Sequence, residues 1–107
     1  MWWVNLPEPI ASEPGYRRPM VIVQADAFNR SRIQTVVAVL LTSNLRLAEA
    51  PGNVIVLAKE SGLARDSVAN ISQILTIDRA FLSERVGRLA AATLRLLEDG
   101  LRLVLEI

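Results

Sequence analysis

The run Thr35-Val36-Val37-Ala38-Val39-Leu40-Leu41 constrains the fold of this chain more than any other segment. It carries no charge, is rich in β-branched residues, and ends on the polar group Thr42-Ser43-Asn44. A continuous apolar run bounded by turn signals reads as a strand buried in the middle of a sheet. It falls far short of the ~20 apolar residues that span a bilayer. A central strand needs partners, and the sequence offers them on both sides. Upstream, Trp2 to Leu6 and Met20 to Ala25 have the composition of strands, with Pro19 at the start of the second, where a missing N–H is tolerated. Downstream, Asn53 to Ala58 follows the turn dipeptide Pro51-Gly52. Gly62 to Arg65 is a connection, and Ser67 to Ile71 with Gln73 to Ile77 form one bent strand or two short ones. Glu84 to Arg88 adds a small strand.

Helical segments are short except for the last. Asp26 is placed to cap one turn over Ala27 to Ser31, Asn44 to Ala48 forms a turn or helix, and Asp78 caps Arg79 to Leu82. From Ala90 onward, Arg95, Glu98, Asp99, Arg102 and Glu106 fall at i, i+3, i+4, i+7 and i+11, a polar stripe along one helical face. That stripe outweighs the strand-like alternation of Leu101-Arg102-Leu103 and the cost of Gly100, about 1 kcal/mol in a helix. Several short strands and one longer helix predict a compact curled sheet.

The chain has 107 residues, which suits one domain over 1–107. Half of them (51%) are hydrophobic and mean hydropathy is +0.32, an apolar excess that a small domain hides with difficulty and that hints at a subunit interface. No basic-then-apolar leader opens the sequence, so the cytoplasm is the expected compartment. There is no cysteine and no histidine. Thiol catalysis, thiolate metal sites, a Ser-His-Asp triad and a two-histidine ribonuclease site are therefore excluded. Chemistry must run on arginine, lysine, carboxylates, hydroxyls, amides and the backbone.

Net charge is only +1, yet between Gly15 and Ala48 five arginines (Arg17, Arg18, Arg30, Arg32, Arg46) stand against Asp26 alone. Trp2, Trp3, Tyr16 and Phe28, four of the five aromatics, lie in the first 28 residues. Cations that hold phosphates beside rings that stack on bases suit single-stranded nucleic acid. A solvated face beside core aromatics accounts for the same residues, and composition alone favours that plainer account.

The segment Ser12-Glu13-Pro14-Gly15-Tyr16-Arg17-Arg18-Pro19, followed by Val21-Ile22-Val23-Gln24, resembles the start of MazF/PemK-type toxins, the ribonuclease half of type II toxin–antitoxin pairs. Further similarity follows in order: Trp2-Trp3-Val4-Asn5-Leu6, Asn29-Arg30, Leu41-Thr42-Ser43-Asn44, Arg65-Asp66-Ser67-Val68, Ser72-Gln73 and Thr76-Ile77-Asp78. Ala11 departs from the pattern, standing where a glycine is often found. The resemblance implies a mostly β fold with α: a small SH3-like/CcdB-like curled β-barrel of five to seven short strands, short helices and a C-terminal α-helix. It implies a growth-inhibiting endoribonuclease that cleaves single-stranded RNA sequence-specifically, without metal or other cofactor, by attack of the ribose 2′-hydroxyl on its own phosphate. The products would be 2′,3′-cyclic phosphate and 5′-hydroxyl ends. The implied partners are RNA, a cognate antitoxin with an extended tail, and a second copy of the chain.

The resemblance places the catalytic arginine on Arg18 and the catalytic threonine on Thr42. Arg18 precedes a proline, which drives its backbone into an extended conformation and suits a guanidinium held for two parallel hydrogen bonds to a phosphate. Arg17, its neighbour on an extended chain, must face the other way. RNA contacts are implied for Ser12, Glu13, Tyr16, Arg17, Ser43 and Gln73. The proton acceptor is left open among Glu13, Asp26 and water. Two alternatives remain at this point: a gyrase-trapping poison of the CcdB type, and a catalytically inactive relative that only binds RNA or antitoxin. This chain ends Leu105-Glu106-Ile107, where the CcdB group carries Trp-Gly-Ile.

Overall fold

The computed structural model describes residues 1–7 and 17–107, so the Ser12, Glu13 and Tyr16 expectations lie outside the described residues. Among the described residues there are six strands: β1 (Trp2–Asn5), β2 (Arg17–Ile22), β3 (Thr35–Thr42), β4 (Val54–Val56), β5 (Ser67–Asp78) and β6 (Leu82–Arg85). They form one sheet in the order β4-β5-β3-β2-β1-β6, with every neighbouring pair antiparallel. The segment expected to be central is central, with β2 on one side and β5 on the other. β4 and β6 are the two edges, so among the described residues the sheet is open and not a closed barrel.

The unbroken apolar character of β3 follows from its two covered faces. Val39 and Leu41 belong to one core with Val21, Ile71, Leu89 and Leu97. Val36, Ala38 and Leu40 belong to another with Val4, Met20 and Ile77. Strand side chains alternate, so a strand covered on both sides has no position left for a polar group.

Among the described residues three α-helices accompany the sheet: α1 (Asp26–Asn29), α2 (Ala58–Ser61) and α3 (Ala91–Leu105). The charge stripe expected of α3 leaves Thr93, Leu97 and Gly100 buried on the opposite side. Asp26 is the first helical residue of α1, and its N-cap is Ala25, which makes no side-chain cap bond. Ala58, expected to end a strand, instead opens α2. Asp66 Oδ1 accepts the Ala58 N–H at 2.7 Å, satisfying one donor of the helix start from eight residues downstream. Asp78 caps as expected, accepting from Ala80 N–H, and Asn44, expected only to open a turn or helix, accepts from Arg46 N–H; each starts a 3-10 turn.

β5 is one strand with a kink. Its pairing with β3 steps from Val39↔Ile74 to Leu40↔Asn70, leaving residues 71–73 bulged between them. Asn53 holds the kink: its Oδ1 accepts the Ile71 N–H at 2.9 Å, and its Nδ2 donates to Leu47 O at 2.8 Å and Asn70 Oδ1 at 3.3 Å. Asn53→Ala strands these partners in a part-buried place and is expected to destabilise the protein by about 2 kcal/mol. An urea titration reads this as a lowered midpoint at unchanged slope; an unaltered midpoint would remove Asn53 from this role.

Candidate active site

The site forms where β2 begins and β3 ends. Their register is Met20↔Leu40, Val21↔Val39 and Ile22↔Ala38, and Arg18 and Thr42 each lie two residues beyond the Met20↔Leu40 pair, on the wall of one cleft. A backbone bond from Val23 N–H to Val37 O, 3.0 Å long, fixes which residues face across the pair. By alternation, Val21/Val39 and then Pro19/Leu41 occupy the same hydrogen-bonding positions. Pro19 has no N–H to give, so the Leu41 carbonyl loses its ladder donor. The Arg18 side chain replaces it: Nη2 donates to Leu41 O at 3.1 Å, and the residue is buried at 8% exposure. The Arg-Pro dipeptide therefore does two things. Proline extends Arg18 and opens the acceptor that anchors its guanidinium.

Thr42 is buried at the last position of β3. Its Oγ1 accepts the Asn44 N–H at 3.2 Å, which turns the hydroxyl hydrogen away from that amide. Arg18 and Thr42 line one cleft of about 770 Å³ with Trp3, Arg17, Ser43 and Arg65. Arg17 sits differently from Arg18, as strand alternation requires. Its side chain is half-exposed, pairs with Glu84 Oε2 at 2.8 Å, and lies 4.4 Å from the centre of the Trp3 ring.

The cleft thus brings together Arg17, Arg18, Thr42 and Ser43. It does not bring in Gln73, which lies part-buried in the kink of β5 and is absent from the cleft wall. Asp26 is also elsewhere, beside Trp2, Arg85 and Arg88 in a separate hollow, and is withdrawn as a proton acceptor. The basic segment is not one patch, because Arg30, Arg32 and Arg46 do not line the cleft. Alternating strands and intervening turns scatter residues that are close in sequence.

Sequence reasoning gave Arg65 no role, although it ends the Gly62–Arg65 connection and opens the Arg65-Asp66-Ser67-Val68 segment of the resemblance. Its loop is closely held. Gly62 ends α2 in the left-handed conformation (φ +80°), and the Leu63 side chain is buried. Asp66 is tied to Ala58, and Thr42 pairs with Val68 just beyond. No three His, Cys, Asp or Glu residues come together as a metal site among the described residues. None of the helices among those residues is long and apolar enough to cross a membrane.

Residues 1–105 match the family described as PemK-like, MazF-like toxin of type II toxin–antitoxin system. The chain belongs to this toxin family. Among named family relatives, Endoribonuclease MazF2 of Mycobacterium bovis is 41% identical over 107 residues, covering 100% of this chain and 94% of the relative. Endoribonuclease EndoA of Bacillus subtilis is 30% identical, covering 100% and 91%. The fold is that of solved MazF toxins. The Mycobacterium tuberculosis toxin MazF-mt6 superposes with a TM-score of 0.79 at 19% identity, over 98% of this chain and 97% of that one. A mycobacterial endoribonuclease in complex with its cognate antitoxin gives 0.78 at 24% identity, over 99% and 90%.

Proposed function

We propose that this chain is an endoribonuclease toxin that cuts single-stranded RNA at specific sequences, with Arg18 and Thr42 as its catalytic pair. The observation that carries the proposal is that these two side chains, from the start of β2 and the end of β3, line one cleft. Full-length similarity to named endoribonucleases supports the reaction.

The chemistry follows from the groups available. The ribose 2′-oxygen bonds to the adjacent phosphorus as the bond to the 5′-oxygen breaks. The 2′-hydroxyl loses its proton and the departing 5′-oxygen gains one. Negative charge grows on the phosphoryl oxygens, and fixed donors aimed at them lower the barrier. The Arg18 guanidinium supplies such donors and has no lone pair to act as an acceptor, so its part is electrostatic and not that of a base. The Thr42 hydroxyl supplies another. Ser43 and Arg17, on the cleft wall, are placed to contact the strand. RNA contacts from Ser12, Glu13, Tyr16 and Gln73 rest on the family resemblance, and so does Glu13 as a proton acceptor beside water. DNA lacks the attacking hydroxyl and is not a substrate.

The protein works in the cytoplasm as a homodimer and is held in check by a cognate antitoxin. A relative of the same fold is an endoribonuclease bound to its antitoxin, which supports that partner. Apolar side chains left exposed on α3, such as Leu96, Leu103 and Leu105, support the dimer. A gyrase-directed role draws no support from the family match or from the named relatives.

Purified protein incubated with a long single-stranded RNA in excess EDTA tests the reading. Discrete cuts with cyclic-phosphate and 5′-hydroxyl ends are expected; intact RNA beside a folded protein would overturn it. Thr42→Val keeps shape and removes the hydroxyl. It is expected to lower kcat by about 100-fold, with Thr42→Ser recovering most of the loss. A Thr42→Val enzyme of normal kcat would take Thr42 out of the mechanism.

A further inference from the structure

We infer that Arg65 holds the phosphate next to the one being cleaved, and so sets the path of the RNA strand across the cleft. The inference rests on the endoribonuclease reading above and extends it to a residue outside the expected set. Arg65 lines the same cleft as Arg18 and Thr42, on the loop that enters β5. Thr42 pairs with Val68, so that loop runs on past the end of β3 and forms the wall beyond the catalytic pair.

The three arginines of the cleft are engaged differently. Arg18 is buried and anchored on the Leu41 carbonyl. Arg17 is pinned between Glu84 and the Trp3 ring. The Arg65 side chain is exposed, and among the described residues it makes no hydrogen bond or ion pair. Asp66, the nearest acid in sequence, is occupied by the Ala58 N–H. The backbone beneath Arg65 is nevertheless fixed, by that bond, by Ser67 Oγ donating to Arg65 O at 3.4 Å, and by the buried Leu63. A solvated cation on a fixed base, on the rim of an anion-binding cleft, suits a backbone phosphate that contributes affinity and register without taking part in bond breaking.

The test separates binding from chemistry. Arg65→Ala is expected to raise KM for single-stranded RNA about tenfold at low salt and leave kcat unchanged. Binding to a long single-stranded DNA of mixed sequence, which cannot be cleaved, is read as a function of salt. One lost phosphate contact lowers the log–log slope by about 0.7, and Arg65→Lys keeps the slope because it keeps the charge. An unchanged KM and slope in Arg65→Ala would overturn the inference while leaving the nuclease intact. A fall in kcat at constant KM would overturn it as well, by placing Arg65 on the reacting phosphate. If the wild type binds the DNA with an Arg65-dependent slope but cuts no RNA, the phosphate contact stands and the nuclease reading falls. If the wild type neither binds nor cuts, both fall.

Discussion

Arg18→Ala is expected to lower kcat for RNA cleavage by about 100- to 1,000-fold, the usual cost of removing one fixed transition-state donor. The loss should fall on kcat more than on KM, because charge on the phosphoryl oxygens is greatest in the transition state. The substitution also leaves the Leu41 carbonyl without the donor that replaces Pro19, in a buried position. A stability loss of about 1–3 kcal/mol should therefore accompany the kinetic one. Activity must be compared at a temperature where the variant is folded, checked by circular dichroism. Arg18→Lys separates the two effects: it keeps a cation but not the planar fork, and should recover only part of the rate. A folded Arg18→Ala protein that cuts RNA at the wild-type rate would end the case for Arg18 as a catalytic residue.

Gly100→Ala is expected to cost stability, by about 3 kcal/mol, although alanine is the better helix former. In an open helix the exchange would gain roughly 1 kcal/mol. Here α3 meets the Pro51-Gly52 turn backbone to backbone. A Cβ on Gly100 would collide with the Gly52 carbonyl oxygen and lie 3.2 Å from Ile71 Cγ1. The obstacle is main chain, so a rotamer change cannot relieve it. Gly52 adopts φ +80°, and a Cβ there would itself sit 3.2 Å from Gly100 O. Losing about 3 kcal/mol is a large part of the 5–15 kcal/mol that holds a domain together. The measurement is a urea midpoint, with Glu98→Ala on the exposed face of the same helix as the control, expected to stay within about 0.5 kcal/mol of wild type. A stabilised Gly100→Ala protein would mean that α3 can slide off the turn without penalty.

Some of the site was legible before any coordinates, for local reasons. The resemblance put the catalytic role on Arg18, and that Arg17 and Arg18 are held differently was legible because an extended chain sends neighbours to opposite faces and proline forces that extension. Asp78 could be recognised as a cap because a short side chain two residues ahead of an N–H needs no distant partner. Asp26 failed the same rule, since nothing in its neighbours distinguishes an N-cap from a first-turn acid. α2 was missed because its first N–H is satisfied by Asp66, across the Gly62 turn. Arg65 was passed over because its meaning depends on lying beside the end of β3, a neighbour more than twenty positions away in sequence.

By itself, then, the sequence determined the central strand, the last helix and which faces of them are covered. Periodicity marked a strand covered on both faces and a helix with one polar stripe, and missing histidine and cysteine limited the chemistry to hydroxyls, carboxylates, amides and guanidinium. Only the tertiary structure decided which of these residues meet. Pairing of β2 with β3 brings Arg18 and Thr42 to one cleft, the absent Pro19 N–H turns Leu41 O into an anchor, and the approach of Gly100 to Gly52 seats α3. Periodicity is a local property that each residue carries with it. Register and close approach are relations between distant segments, set when the two cores pack.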